Sequence, residues 1–325
     1  MEDRRGEREA LTLVARKPCF SLPTACPNCI PAYIYLKLAK IPFTLEFNLI
    51  HPDSDQIPFV ESGDYVAYNN ENGGVLQKLK DDGIVDLDYE VSGIPEWVSF
   101  KAMVESWLSD AVLYELWVGS DAKPAHKIYY SDLPWPIGKI LYYKQVYVVK
   151  QLLGITSENA ERREEEIYRR ATVAYGALSA RLGEKSFFFE DRPTSLDAVF
   201  LGHALFTLLA LPETSVLRSK LLGHANLVKY AENLKSEYVD ASSSSSSVPQ
   251  SDPSSSASKR GPAYWSSKPK NKPTREKTEE EKKFRRRAKY FLATQVVAVL
   301  IFLSVIGGSN GEVELGVDDE AFDYE

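Results

Sequence analysis

Apolar and polar positions follow two rhythms along the chain, and the change between them divides it. Between residues 11 and 90, the runs LTLVAR (11–16), FTLEFNLI (43–50), IPFV (57–60) and YVAY (65–68) are short, rich in β-branched and aromatic residues, and partly period-two. They predict strands, the last two forming a hairpin around Glu61-Ser62-Gly63-Asp64. Ile30 to Ile41 is apolar on nearly every side, broken only by Lys37 and Lys40, which predicts a buried helix. GGVLQKLKDDG (73–83) predicts a shorter one ending at Gly83. From Ile94 to about Tyr238 the rhythm is helical, through segments 95–117, 137–153, 160–182, 195–211 and 224–238. Turns at Asp132-Leu133-Pro134, at Gly154 and from Gly183 to Pro193 separate them. Within the last turn, Thr194 and Asp197 have the spacing of an N-terminal capping box.

Both rhythms stop near residue 240. From there to 289 the chain runs through consecutive serines from Ser242 to Ser247, then Pro249, Pro253, Pro262, Pro269 and Pro273 among serines and lysines. Such a composition buries too little apolar surface to offset its ordering entropy, so 240–289 is expected to be a tether. Next comes YFLATQVVAVLIFLSVI (290–306), which carries no charge. As a helix it would extend about 26 Å, enough for the core of a bilayer. Lys282, Lys283, Arg285, Arg286, Arg287 and Lys289 precede it, and an acidic tail, 309–325, follows. This asymmetry predicts a single-pass anchor over 290–308 with residues 1–289 in the cytosol and the basic end of the tether near anionic head groups. Insertion is expected after synthesis, as in tail-anchored proteins. A short span beside basic residues suits the mitochondrial outer membrane.

Composition adds limits. At 325 residues and 44% hydrophobic content the chain can bury sizeable cores. Its net charge of -7 conceals segregation, because 13 basic and 4 acidic side chains fall in 259–289 alone. The N-terminal tail, 1–10, mixes both charges and reads as neither a secretory signal nor a transit peptide. Three cysteines, Cys19, Cys26 and Cys29, are too few for a disulfide scaffold. The basic tether has little aromatic interleaving, so no nucleic-acid partner is expected.

Candidate chemistry centres on Cys26-Pro27-Asn28-Cys29, which stands between a strand and a helix. A redox pair needs its first thiol at a helix N-terminus, where unpaired N–H groups stabilise the thiolate. Pro31 argues for a helix capped by Asn28 with Cys26 outside it, which favours packing over catalysis. A zinc site would need four ligands, and only Cys19 and His51 lie near enough to join. The single histidines His126, His203 and His224 lack ligand spacing. ERREEEIYRR (161–170) reads as a solvated face of ion pairs.

The order βαβ, ββ, α followed by helices resembles glutathione transferases: α/β plus all-α, with a thioredoxin-like domain (11–90) and an all-helical domain (91–239). In that plan Pro58 would be the cis proline opening the third strand. LPTACPNCIPAYIYLKLA (22–39), IPFVESGDYVAYNNENGGVLQKL (57–79), LPWPIGKILYYKQ (133–145) and RPTSLDAVFLGHAL (192–205) resemble, more narrowly, the metaxins, a glutathione-transferase-like family of the mitochondrial outer membrane. The resemblance implies a non-enzymatic component of protein import, without cofactor or metal. It would bind β-barrel precursors, the barrel assembly core and other subunits of the sorting and assembly machinery from the cytosolic face. Translocase components and the lipid bilayer are further implied partners. It also implies a test for glutathione. Active transferases place an acidic or amide residue followed by Ser about a dozen positions after the cis proline, where this chain has Asn69-Asn70. The rival expectation is a membrane-anchored glutathione or thiol-disulfide transferase using Cys26, with Cys29 as its partner.

Overall fold

The computed structural model describes residues 10–48, 54–71, 73–189, 191–240 and 294–295. Residues 1–251 form one compact unit and 252–325 a second. All strands and helices named below belong to the first. Apart from Asp240, Thr294 and Gln295, the expected tether, its basic end from Lys282 to Lys289, the 290–308 anchor and the acidic tail lie outside the described residues. Among the described residues no helix is long and apolar enough to cross a membrane.

Strand β1 (Leu11–Ala15) is central. Helix α1 (Cys29–Leu38) carries the chain over to β2 (Phe43–Phe47), which pairs with β1 in parallel. The hairpin β3 (Phe59–Ser62) and β4 (Tyr65–Tyr68) adds antiparallel strands on the other side, giving the order β2-β1-β3-β4. Leu13 faces Leu45 on one neighbour and Val60 on the other. The Ile57–Pro58 bond is cis. Helix α2 (Gly74–Asp81) completes this half. β2 ends at Phe47, and of the rest of the predicted run Asn48 lies outside the strand and Leu49 and Ile50 lie outside the described residues.

The helical half opens with a long rod made of α3 (Pro95–Met103), a wide π turn (Val104–Leu108), α4 (Ser109–Tyr114) and a second π turn (Glu115–Gly119). A short helical stretch follows, α5 (Lys123–Ala125) continuing as a π turn through Tyr130. Periodicity did not predict this stretch. It starts because Asp121 accepts the Lys123 N–H at 3.2 Å and Pro124 suits a first turn. Then come α6 (Trp135–Leu152), α7 (Ala160–Leu182), α8 (Ser195–Leu209), α9 (Val216–Leu222) and α10 (Ala225–Leu234).

Helix α1 is apolar all round because it is buried all round: it shares a core with Leu13 and Val60 of the sheet and packs against α8. Gly202 permits that approach. A Cβ there would lie 2.8 Å from Pro31 Cγ. Buried carboxylates tie distant segments together. Asp88 accepts the Ser195 N–H at 2.8 Å, tying the chain before α3 to the start of α8. Glu115 accepts the Tyr168 hydroxyl at 3.0 Å, the Ser215 hydroxyl at 2.9 Å and the Leu217 N–H at 3.0 Å. Asp197 accepts from Thr194 N–H and Oγ1, Phe188 N–H and the Tyr230 hydroxyl. Thr194 and Asp197 form the capping box of α8.

Candidate functional site

The start of α1 is built around Cys26. The Cys29 and Ile30 N–H groups both donate to the Cys26 carbonyl, at 2.9 and 3.1 Å. Cys26 lies outside α1, as Pro31 dictates, yet its carbonyl receives the first N–H with helical i, i+4 spacing. Asn28 stands at the N-cap position, as expected, but its side chain makes no capping bond. The backbone carbonyl of Cys26 takes that place, and Pro31 falls in the first turn, where its missing N–H costs little.

Both thiols are free and buried, Cys26 at 2% exposure and Cys29 at 0%. Cys26 Sγ is 3.4 Å from the Tyr129 hydroxyl. The Arg16 guanidinium lies over the Tyr129 ring, 5.3 Å from its centroid, and donates to the Ser54 carbonyl at 3.0 Å. A hydrogen bond from the Cys29 side chain lowers the Cys26 pKa, helped by Tyr129 and by the Arg16 charge and opposed by burial. Burial and the adjoining Cys26 push Cys29 well up. The two thiols are thereby made chemically unequal. Cys19 is separate, half-buried, with its pKa raised to about 11 chiefly by burial. Tyr129 and Arg16 escaped sequence reasoning because neither belongs to a motif, and Tyr129 is 103 positions from Cys26.

A cleft of about 170 Å³ opens where α1 meets the helical half, lined in part by Asn28, Pro31, Asn69, Glu105 and His203. Drug-sized ligand sites commonly hold about 300–1,000 Å³. Burial lowers the His203 pKa to about 3, so its imidazole is neutral near pH 7, and Nε2 is 2.6 Å from the Tyr175 hydroxyl. Burial also raises the Glu105 pKa. No lysine or arginine lines this cleft among the described residues. Glutathione brings two carboxylates, so the cleft fits it poorly in both size and charge. Asn69 and Asn70 stitch a neighbouring loop, donating to the Asp55 carbonyl at 3.4 Å and to Asp55 Oδ1 at 3.5 Å. Among the described residues no group of three or more His, Cys, Asp or Glu side chains could hold a metal ion. His51 lies outside them.

The outer face of α6 carries several exposed large apolar side chains. Ile140, Tyr143, Tyr147 and Leu152 are 65 to 70% exposed, and Ile137 and Val148 join them. At helical spacing Ile140, Tyr143 and Tyr147 share the outermost face, with Lys144 between Ile140 and Tyr147, while Val148 and Leu152 lie toward one flank. Lys144, like Lys139 and Lys150 at the edge of this face, is exposed, and residues 135–152 contain no acidic side chain. Clustered exposed apolar side chains of this kind mark sites of association. By contrast, the acidic opening of α7 is paired internally: Glu166 binds Arg170 and, at 2.7 Å, Arg163.

Known families and proteins resemble much of the chain. Residues 27–122 match the glutathione S-transferase N-terminal domain family, and residues 171–234 match the glutathione S-transferase C-terminal domain family. The chain is 60% identical over 315 residues to the "Mitochondrial outer membrane import complex protein METAXIN" of Arabidopsis thaliana, covering 97% of this chain and 98% of that protein. It is 29% identical over 192 residues to "Metaxin-2" of Homo sapiens, covering 58% of this chain and 71% of that one. Among solved structures, a glutathione transferase of Phanerochaete chrysosporium is similar at 13% identity and a TM-score of 0.48, over 71% of this chain and 98% of that chain.

Proposed function

The chain belongs to the metaxin family, and from that premise we propose that it serves mitochondrial outer membrane protein import by binding rather than by catalysis. Its partners are β-barrel precursors and the sorting and assembly machinery, met on the cytosolic face. The apolar segment 290–308 is its single-pass anchor, with the basic residues Lys282 to Lys289 at the cytosolic head groups and 240–289 as tether.

The exposed face of α6 is the observation that supports binding most directly. A helix face bearing exposed Ile140, Tyr143 and Tyr147, with Lys144 among them and Lys139 and Lys150 at its edge, combines exposed aromatic and aliphatic side chains with positive charge, as protein interfaces do. Its occupant is another subunit of the assembly machinery that offers apolar side chains ringed by carboxylates. The small cleft without a lining cation supports the same reading against a glutathione transferase. A photoreactive p-benzoylphenylalanine at Tyr147 in the full chain, in intact mitochondria, tests it. The expected product is a crosslink to an outer membrane protein. A crosslink to lipid alone, or a protein crosslink no stronger than that from a control position on α7, would refute this use of α6.

A further inference from the structure

Binding through the α6 face makes no use of His203, a polar residue of α8 that is only 8% exposed. Its two ring nitrogens are held differently. Nε2 lies 2.6 Å from the Tyr175 hydroxyl. Nδ1 has no hydrogen-bond partner among the described residues and is not among their fully enclosed unpaired atoms, so it meets the cleft that His203 lines.

Tyr175 fixes which nitrogen carries the proton. It is fully buried, and Nε2 is the acceptor that its hydroxyl reaches. Were Nε2 to donate instead, the phenolic hydrogen would be stranded in the core as a buried, unmatched donor. A neutral imidazole has one N–H, and with Nε2 accepting, it stands on Nδ1. Burial keeps the ring neutral across the physiological range, with its pKa lowered to about 3. The cleft is thereby offered a permanent donor without a charge.

The rest of the lining selects the ligand. Pro31, Val104, Val112 and Phe206 give apolar walls. Glu105, tied to Lys101 at 3.8 Å, supplies an acceptor. No lysine or arginine lines the space among the described residues, so an anion would meet Glu105 with no cation to hold it. The volume is about 170 Å³, where one water needs roughly 10–15 Å³, which leaves room for a group of several heavy atoms. An uncharged group that accepts from Nδ1 and donates to a carboxylate within one small planar unit is a carboxamide. We propose that this cleft, between the starts of α1 and α2, the long rod and α8, is a site for a primary carboxamide on a short apolar stem. Its carbonyl accepts from His203 Nδ1, and its NH₂ donates to Glu105. The amide comes from an asparagine or glutamine side chain of a partner polypeptide or from a free small molecule. No residue of α6 lines the cleft, so this site is tested apart from the α6 face.

The test uses the full chain in mild detergent with ¹⁵N-labelled histidine, the His203 signals being those lost in His203→Gln. At pH 7 they should show Nδ1 protonated and Nε2 bare, and Tyr175→Phe should blur this into a mixture of tautomers. Isovaleramide should shift the Nδ1 signal saturably, whereas isovalerate, its anionic counterpart of equal size, should not. The ketone 4-methyl-2-pentanone accepts but cannot donate, so it should bind roughly three- to ten-fold more weakly, the worth of one hydrogen bond. In Glu105→Ala, a change at a side chain 49% exposed, amide and ketone should become equal. A shift with acetyl-Ala-Gln-Ala-N-methylamide and none with its Glu counterpart would assign the site to a partner polypeptide; a shift with isovaleramide alone would assign it to a free amide. The proposal is overturned if Nε2 carries the proton, if isovalerate binds as tightly as isovaleramide, or if no amide shifts Nδ1 at any soluble concentration. The wild-type titrations stand by themselves should Tyr175→Phe fold poorly.

Discussion

Replacing Asp197 by Asn tests how α8 is held. The carboxylate is fully buried. Oδ1 accepts the Phe188 N–H at 3.1 Å and the Tyr230 hydroxyl at 2.6 Å; Oδ2 accepts the Thr194 N–H at 2.8 Å and its hydroxyl at 2.7 Å. An Asn oxygen can keep one of these pairs. Its NH₂ must then face an N–H that cannot turn away, leaving a buried donor unmatched at a cost of about 1–3 kcal/mol. Loss of the charge-assisted bonds, each roughly twice as strong as a neutral one, adds to this. The total expected for Asp197→Asn is about 2–4 kcal/mol, and for Asp197→Ala, which removes the acceptor of all four donors, about 3–5 kcal/mol. A single domain has about 5–15 kcal/mol to lose. Urea unfolding of the full chain in mild detergent, followed by far-UV circular dichroism, measures both. If Asp197→Asn falls within about 0.5 kcal/mol of wild type, the range of an ordinary surface change, the reasoning is refuted.

Two further outcomes follow from buried groups. Burial lowers the His203 pKa to about 3, below the 6.5 of an unfolded chain, so the unfolded state takes up the proton first. The stability this gives is complete above pH 6.5 and is lost as pH falls toward 3, at up to about 1.4 kcal/mol per pH unit. Between pH 6.5 and 4.5, wild type should therefore lose about 2 kcal/mol more than His203→Gln, read from paired urea midpoints; parallel profiles would contradict it. Gly202→Ala should cost about 1–3 kcal/mol by thermal denaturation, because its Cβ would stand 2.8 Å from a proline ring fixed in α1; an unchanged midpoint would show that α1 and α8 can part freely.

Much of this architecture can be read from local rhythm. The all-round apolar character of 30–41 announces a helix enclosed on every side, and α1 is one. The Thr194 and Asp197 spacing announces a capping box, and α8 begins with one. Long-range electrostatics cannot be read in this way. Nothing near Glu115 indicates that Tyr168, Ser215 and Leu217 will converge on it, and Asp88 resembles any loop acid until Ser195 meets it. The thiol pair is an intermediate case. Its spacing is visible, but its environment depends on Arg16 at the end of β1 and on Tyr129 from the unanticipated stretch after α5. Ile140, Tyr143 and Tyr147 would ordinarily be assigned to a core, because periodicity reports which residues share a face and not whether anything covers it.

The central claim, that binding rather than thiol chemistry is what the chain contributes, is tested most directly by rescue of β-barrel assembly in mitochondria depleted of the protein. Three full-length forms are needed: wild type, Cys26→Ala/Cys29→Ala, and Ile140→Asp/Tyr147→Asp, each first shown to be folded and present at equal amounts. Assembly should return to wild-type levels with the thiol-free form and fail with the α6 form. Rescue by the α6 form together with failure of the thiol-free form would contradict the account and make the cysteine pair the working site.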